Sequence, residues 1–212
     1  MGLTIESTSI ADGQPISESH AVAVPTADGH AAMIGEDRSP HLRWSKEPEG
    51  TRSFAISVVD PDVPADRMRM GVEGLSLGDD EPRVRFPHWL VANIPPDIHE
   101  MPEGADGDGF VPHGKSPGPT RMGGVSGSNG FGGLFEGNAE LEGVYGGWDG
   151  PFPPWNDEHV HRYVTTMYAL DVETIGVEAG FTLSEFEAAI EGHVLDRAEV
   201  VPTYTLNPSL RT

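Results

Sequence analysis

The sequence predicts a mainly-β protein, with short strands joined by long glycine- and proline-rich loops and one helix near the C-terminus. Three observations predict it. Glycine (27) and proline (19) together exceed a fifth of the 212 residues, and these are the residues that punctuate regular structure. Several short runs alternate apolar with polar residues or are rich in β-branched and aromatic ones. Long amphipathic patterns are few, and one segment alone is well signed as a helix.

In chain order, strands are expected at Leu3–Ser7, Ser53–Asp60, His88–Ile94, Arg162–Asp171 and Glu199–Leu206. Alternate side chains of a strand share a face. Phe54, Ile56, Val58 and Asp60 therefore form a core-facing row that ends on a carboxylate at the sheet rim, where Pro61 and Pro64 stiffen the exit. Taken alone, an ordinary Asp-Pro turn is the commoner explanation of those residues. In FPHWLVANIPP, His88 shares a face with Leu90 and Ala92, while Trp89 and Val91 take the other. Thr182 and Glu185 form a capping box, Phe181 can staple onto Phe186, and Leu183, Phe186, Ile190 and Val194 recur at helical spacing. A helix is expected from about Leu183 to Arg197, covering the sheet and carrying no chemistry, with His193 a packing or surface histidine. Two long glycine-rich loops remain, Met68–Pro87 and Asp97–Gly150. Loops of that length are usually functional or mobile. With no repeat and no convincing linker, residues 1–212 read as a single domain.

Composition narrows the function classes. Without cysteine, disulfides, Cys-ligated zinc, iron–sulfur clusters and a thiol nucleophile are excluded. The opening MGLTIESTS carries Glu6 and no basic segment before an apolar core, so no secretory signal is expected. No apolar run is long enough to cross a bilayer. A cytoplasmic location is the expectation. Acidic residues number 34 against 13 basic ones, a formal net charge of −21, and Lys46 and Lys115 are the only lysines. Such a surface either meets a cationic partner or is adapted to molar salt, where the Debye length shrinks to ~3 Å. The scatter of the acids along the chain favours the halophilic reading. Nucleic acid, which needs a basic footprint, and acidic membrane surfaces are disfavoured as partners.

Chemistry concentrates in Gly150–Asp171, GPFPPWNDEHVHRYVTTMYALD. A proline-rigid turn leads into a polar loop, and His159, His161 and Tyr163 then follow two residues apart, on one side of a strand. Two imidazoles and a phenol are donors for a small anion, or the start of a metal site. Arg162 points to the opposite face, as for a structural ion pair. The run Gly123–Gly133 has neither GxGxxG between strand and helix nor a Lys-Ser/Thr close, so it is a weak nucleotide cradle and more simply lets the backbone turn closely around a site. Asp106-Gly-Asp108-Gly lacks the later glutamate of a calcium loop. No GxSxG and no HExxH occur.

DPDVP at 60–64, HWLVANIP at 88–95 and GPFPP…HRYVTTMYALD at 150–171 together resemble the phosphatidylethanolamine-binding protein (PEBP) family, in its bacterial and archaeal Raf kinase inhibitor-like branch. SGSNGFGG and the ending FTLSEFEAAIEGHVLDRAEVVPTY resemble the same branch. The resemblance implies a Greek-key β-sandwich and a small surface pocket for phosphate-like or carboxylate anions. Carried over by motif, the pocket residues are Asp60, His88, His161 and Tyr163. Gly150, Pro151, Pro153 and Pro154 form the wall, and Asp62 is a further member. The chain departs from the pattern in its long charged spacer before His88 and in the acidic insertion GLFEGNAELEG. Phe152 stands where the branch has cysteine, and Gly130 where it has aspartate.

The expected function is binding of a small anion such as phosphate, phosphorylethanolamine or a carboxylate, with regulation through a protein partner and no cofactor. His88 and His161 would donate N–H groups, Tyr163 its O–H, and Asp60 would hold a histidine in its donor tautomer and raise its pKa. Binding would then strengthen as pH falls toward ~6. The alternatives are a metal-dependent hydrolase using Asp60, His88, His161 and His159, and an inhibitor of kinases or proteases, as some relatives are. The helix and exposed apolar turn residues permit a homodimer, which is common in the branch.

Overall fold

Two twelve-residue strands form the centre of the molecule. The computed structural model describes residues 2–211. Strands β1 (Thr4–Glu6), β2 (Val24–Pro25), β3 (Ala31–Ala32), β4 (Leu42–Ser45), β5 (Ser53–Pro64), β6 (Arg83–Ile94), β7 (Glu100–Met101) and β8 (Val125–Ser126) precede a one-turn helix, α1 (Phe131–Leu134). Then come β9 (His161–Arg162), β10 (Val164–Leu170), helix α2 (Leu183–Ile190), β11 (Val194–Val200) and β12 (Thr203–Tyr204). The main sheet is antiparallel with the order β11–β10–β5–β6–β8, and a smaller sheet has the order β1–β4–β7.

SFAISVVD contains few polar residues because both faces of β5 are covered. Phe54, Ile56, Val58, Trp89, Val91 and Met167 pack against Leu42, Trp44 and Met101 of the smaller sheet, giving the sandwich. On the opposite face Ala55, Leu90, Ala92 and Leu170 meet Phe181, Phe186 and Ile190, so α2 covers the sheet as expected. Its capping box is formed, with Thr182 Oγ1 accepting from the Glu185 N–H and Glu185 Oε2 accepting from the Thr182 N–H. Phe181 stacks on Phe186 with ring centroids 5.9 Å apart.

The helix is shorter than its periodicity suggested. It stops at Ile190, Gly192 turns the chain at φ 80°, and 194–200 is a strand rather than the last turns of a helix. Val194 pairs with Leu170 and is exposed. The open edge of β10 offers a row of unpaired backbone groups, and satisfying them outweighs a local helical pattern. The expected strand Glu199–Leu206 is accordingly split: Glu199 and Val200 end β11, Pro202 interrupts, and β12 pairs with β9. The expected strand Arg162–Asp171 breaks at Tyr163 into β9 and β10.

Three register shifts interrupt the β5–β6 ladder, and two of them set the site. Val58 pairs with Trp89 but Val59 pairs with Pro87, leaving His88 as the extra residue of a bulge. Asp60 pairs with Phe86 but Val63 with Val84, so Pro61 and Asp62 bulge in turn. Bulges admit proline to a central strand and re-aim side chains. The alternation that put His88 with Leu90 and Ala92 therefore fails at His88, whose ring instead meets Tyr163 on the other side, at 5.0 Å.

The two long loops are tied to one segment. Asn156 Oδ1 accepts from the Gly71 N–H while its Nδ2 donates to the Arg69 and Leu75 carbonyls. Asn129 Nδ2 donates to Asp149 Oδ2 at 2.6 Å, and Lys115 Nζ donates to Asp149 Oδ1 at 2.6 Å. Residues 149–157 thus draw both loops to the same end of the sheet. Among the described residues no helix is long and apolar enough to cross a membrane.

Candidate functional site

Asp60, His88, His161 and Tyr163 converge on one small cleft, from β5, β6, β9 and the break before β10. The rest of its lining is Val63, Met70, Phe86, Phe131, Leu134, Phe152, Pro153 and Pro154. Its volume is about 30 Å³, room for about two water-sized groups at ~10–15 Å³ each. Five of these residues, Met70, Leu134, Phe152, Pro153 and Pro154, also line an adjoining groove of about 510 Å³. The groove continues over Met68, Phe135 and Trp155, with Arg67 and Glu136 at its edge. A narrow polar hole therefore opens into a wider, largely apolar trough.

His161 is fully buried between two carboxylates. Its Nδ1 donates to Asp60 Oδ2 at 2.6 Å and its Nε2 to Asp157 Oδ2 at 3.1 Å. Burial alone would lower its pKa, but the charge of Asp60 and the hydrogen bonds to Asp157 and Asp60 outweigh it and raise the value to about 9. The ring is thus an imidazolium at neutral pH. Asp157 is a hub: Arg83 Nη2 donates to its Oδ1 at 3.0 Å, and the His159 N–H donates to the same oxygen at 2.9 Å. Burial works to raise the Asp157 pKa, but the hydrogen bonds from His161 and Arg83 hold it below the usual carboxylate range. Asp60 Oδ1 accepts from the Asp62 N–H at 2.7 Å.

His88 differs. Its Nδ1 lies 2.7 Å from the Asp149 carbonyl oxygen, which can only accept, so Nδ1 carries the proton. Burial lowers the pKa of this ring. Among the described residues three buried side-chain polar atoms lack a hydrogen-bond partner, and His88 Nε2 and Tyr163 Oη are two of them. Both belong to the cleft. Such orphans are rare because each costs ~1–3 kcal/mol, and they mark places where something else completes the bond.

Several expected residues lie elsewhere. Asp62 points away from the cleft to Arg162, whose Nε and Nη2 donate to its two oxygens at 2.9 and 2.8 Å, the structural ion pair expected of that arginine. Burial would raise the Asp62 pKa, but those bonds win and lower it. His159 does not join His161 and Tyr163 on a strand face, because the chain is still turning there. Its Nδ1 meets Asp79 at 3.2 Å at the rim. Gly150 and Pro151 are not part of the cleft lining. The Gly150 N–H donates to buried Asp37 at 2.8 Å, and the Pro151 carbonyl accepts from the Val22 and Ala23 N–H groups. Of that turn Phe152, Pro153 and Pro154 form wall. The metal constellation is likewise not assembled: both nitrogens of His161 are committed, His159 is remote, and no cluster of three His, Asp or Glu among the described residues has the spacing to hold a metal ion.

The residue-level reading missed Asp157, the apolar lining and a second buried cluster. Asp157 sits in the acidic WNDEH loop, four residues before His161, and that spacing was its only signal. Behind His88 lie Asp37 and Asp149, both fully buried, with Lys115 Nζ 3.5 and 2.6 Å from them. Burial, then the charge of Asp149, raises the Asp37 pKa to about 8. Asp149 keeps the closer lysine and the Asn129 amide, so the proton belongs on Asp37. The departure at Gly130 also has a reason. A Cβ there would sit 2.6 Å from the Phe86 ring, which lies at 5.0 Å from His88 in the cleft wall.

A two-layer β-sandwich with a buried Asp–His–Asp row beside a neutral histidine and a phenol defines the class. The chain belongs to the phosphatidylethanolamine-binding protein family, whose model matches residues 6–205. Among curated relatives, a UPF0098 protein of Pyrococcus abyssi is 34% identical over 170 residues, 80% of this chain and 73% of its own. The UPF0098 protein YbcL of Escherichia coli is 28% identical over 205 residues, covering 95% of this chain and 87% of its own. The crystal structure of YbcL, described as a new member of the mammalian PEBP family, superposes with a TM-score of 0.68 at 25% identity over 97% of this chain and 99% of YbcL. The Chlamydia trachomatis protein CT736, described as a putative PEBP homolog, gives a TM-score of 0.64 at 26% identity over 96% and 97% of the two chains.

Proposed function

We propose that this chain, acting as one PEBP-like domain, binds the oxyacid head of a small ligand, a phosphate, phosphate monoester or carboxylic acid, in the cleft of Asp60, His88, His161 and Tyr163. The observation that carries the reading is the pair of orphaned buried atoms, His88 Nε2 and Tyr163 Oη, in the wall of one cleft. The hole admits about two oxygens of the head, at ~10–15 Å³ each, and the Phe152, Met70 and Trp155 trough takes whatever organic body the head carries. His161 is no donor to the ligand, since Asp60 and Asp157 use both its N–H groups. Its role is to hold Asp60 neutralised at the cleft floor. Asp60 in turn favours the protonated ring of His161.

Calorimetry with inorganic phosphate and phosphorylethanolamine tests this. We expect saturable binding that Tyr163→Phe weakens by about ten- to 150-fold, one charge-assisted hydrogen bond being worth ~1.5–3 kcal/mol. Binding of equal strength in the Tyr163→Phe protein would place the ligand elsewhere.

A further inference from the structure

We propose that the cleft selects an oxyacid head that still carries a proton, and rejects a fully ionised one of the same shape and charge. This rests on the head-binding reading above and goes beyond it to the chemical state of the ligand. The Asp149 carbonyl can only accept, so His88 Nδ1 is the donor of that 2.7 Å bond and Nε2 presents a lone pair. That lone pair is buried and faces no donor of the protein.

Protonating Nε2 to make it a donor is opposed first by burial. His88 is 2% exposed. Phe86 and Phe131 close two sides at 5.0 and 5.8 Å, and Tyr163 a third at 5.0 Å. Among the charged groups that bear on it, the His161 imidazolium opposes a second positive charge. Asp60, which would favour one, already accepts from His161 and from the Asp62 N–H. The Asp149 carboxylate is taken up by Lys115 and Asn129.

The cleft therefore offers one acceptor, His88 Nε2, beside one hydroxyl, Tyr163 Oη, and no cation free to meet an anion. A group of the form HO–P=O or HO–C=O satisfies both: its hydroxyl donates to Nε2 and its other oxygen accepts from the phenol. A sulfate oxygen set against the same lone pair leaves two acceptors facing each other without a proton, an arrangement that a buried site penalises heavily. Sites built to pair with a ligand hydroxyl reject analogues lacking it by large factors.

Methyl phosphate and methyl sulfate form the decisive pair. Below the second phosphate pKa, ~6, both are singly charged tetrahedral monoesters that differ by one O–H. Calorimetry on the native protein at pH ~5.5 should show methyl sulfate binding at least about a hundredfold more weakly than methyl phosphate. Affinity for methyl phosphate, counted over all its protonation states, should fall as pH rises through ~6, with close to one proton taken up per site at pH ~8. His88→Gln places an amide N–H donor near the position of Nε2, and should narrow the preference by tenfold or more. Equal binding of the two esters by the native protein overturns the inference while leaving the head-binding reading intact, as does an unchanged preference in a folded His88→Gln protein. No binding of methyl phosphate, or binding that Tyr163→Phe leaves untouched, overturns both. The native-protein comparison decides the matter even if the variant fails to fold.

Discussion

His161 holds two protons between Asp60 and Asp157 in a place that water does not reach, and this has a thermodynamic consequence. Its folded pKa, about 9, lies above the unfolded value near 6.5. The stability this contributes is fully present below pH ~6.5 and is lost as pH rises through about 9. Asp157→Asn removes one of the two carboxylates, and the His161 resonances should then titrate lower than about 9 in a nuclear magnetic resonance pH series. An unchanged midpoint would show that Asp60 alone sets it. Asp37 carries the same sign. Its raised folded pKa, about 8, means that stability present below pH ~4 is lost as pH rises toward 8. Asp37→Asn can keep the acceptor for the Gly150 N–H and has no charge to lose. Melting temperatures of this variant and the native protein should therefore diverge in the variant's favour between pH ~5 and ~8. At this scale the sequence named the four cleft residues through their motifs. It did not show Asp157 or Asp37, because a carboxylate in a polar loop becomes a partner only through what folds against it.

At the scale of elements, the same apolar letters had two outcomes. Phe186 and Ile190 bury against the sheet as the periodicity of α2 required, whereas Val194 continues that periodicity on paper and lies exposed on the edge strand β11. Urea denaturation should separate them. Phe186→Ala should cost about 3–5 kcal/mol, as the emptying of a core aromatic site does, while Val194→Ala should cost less than about 1 kcal/mol. A large loss at Val194 would favour the longer helix. The bulges in β5 and β6 belong to this scale too. A strict period of two turns His88 away from Tyr163, and only the extra residue opposite Val58 and Val59 brings it round. Pro61, which reads as part of a turn, and Pro87, at the end of the expected loop, are the visible traces of these irregularities.

For the whole molecule, the net charge of −21 is spread over the surface and opposes the compact state. Raising KCl from about 0.1 M to about 2 M shortens the Debye length from ~10 Å to below ~3 Å. The urea midpoint should rise across that range, and a flat or falling midpoint would argue against adaptation to high salt. The buried pairs at Asp157 and Asp149 lie inside this charged shell and are screened far less. By itself the sequence determined the β-rich class, the capped helix over the sheet, the family, and the motifs that supply Asp60, His88, His161 and Tyr163, because patterning and motif order are local properties of the chain. Tertiary structure alone decided that His161 is spent between two carboxylates while His88 keeps a free lone pair, that Asp62 and His159 turn away from the cleft, and that 194–200 is a strand. Each of these depends on which backbone or charged group arrives from tens of residues away, and hydrogen-bond satisfaction in a buried place overrides what neighbouring letters prefer.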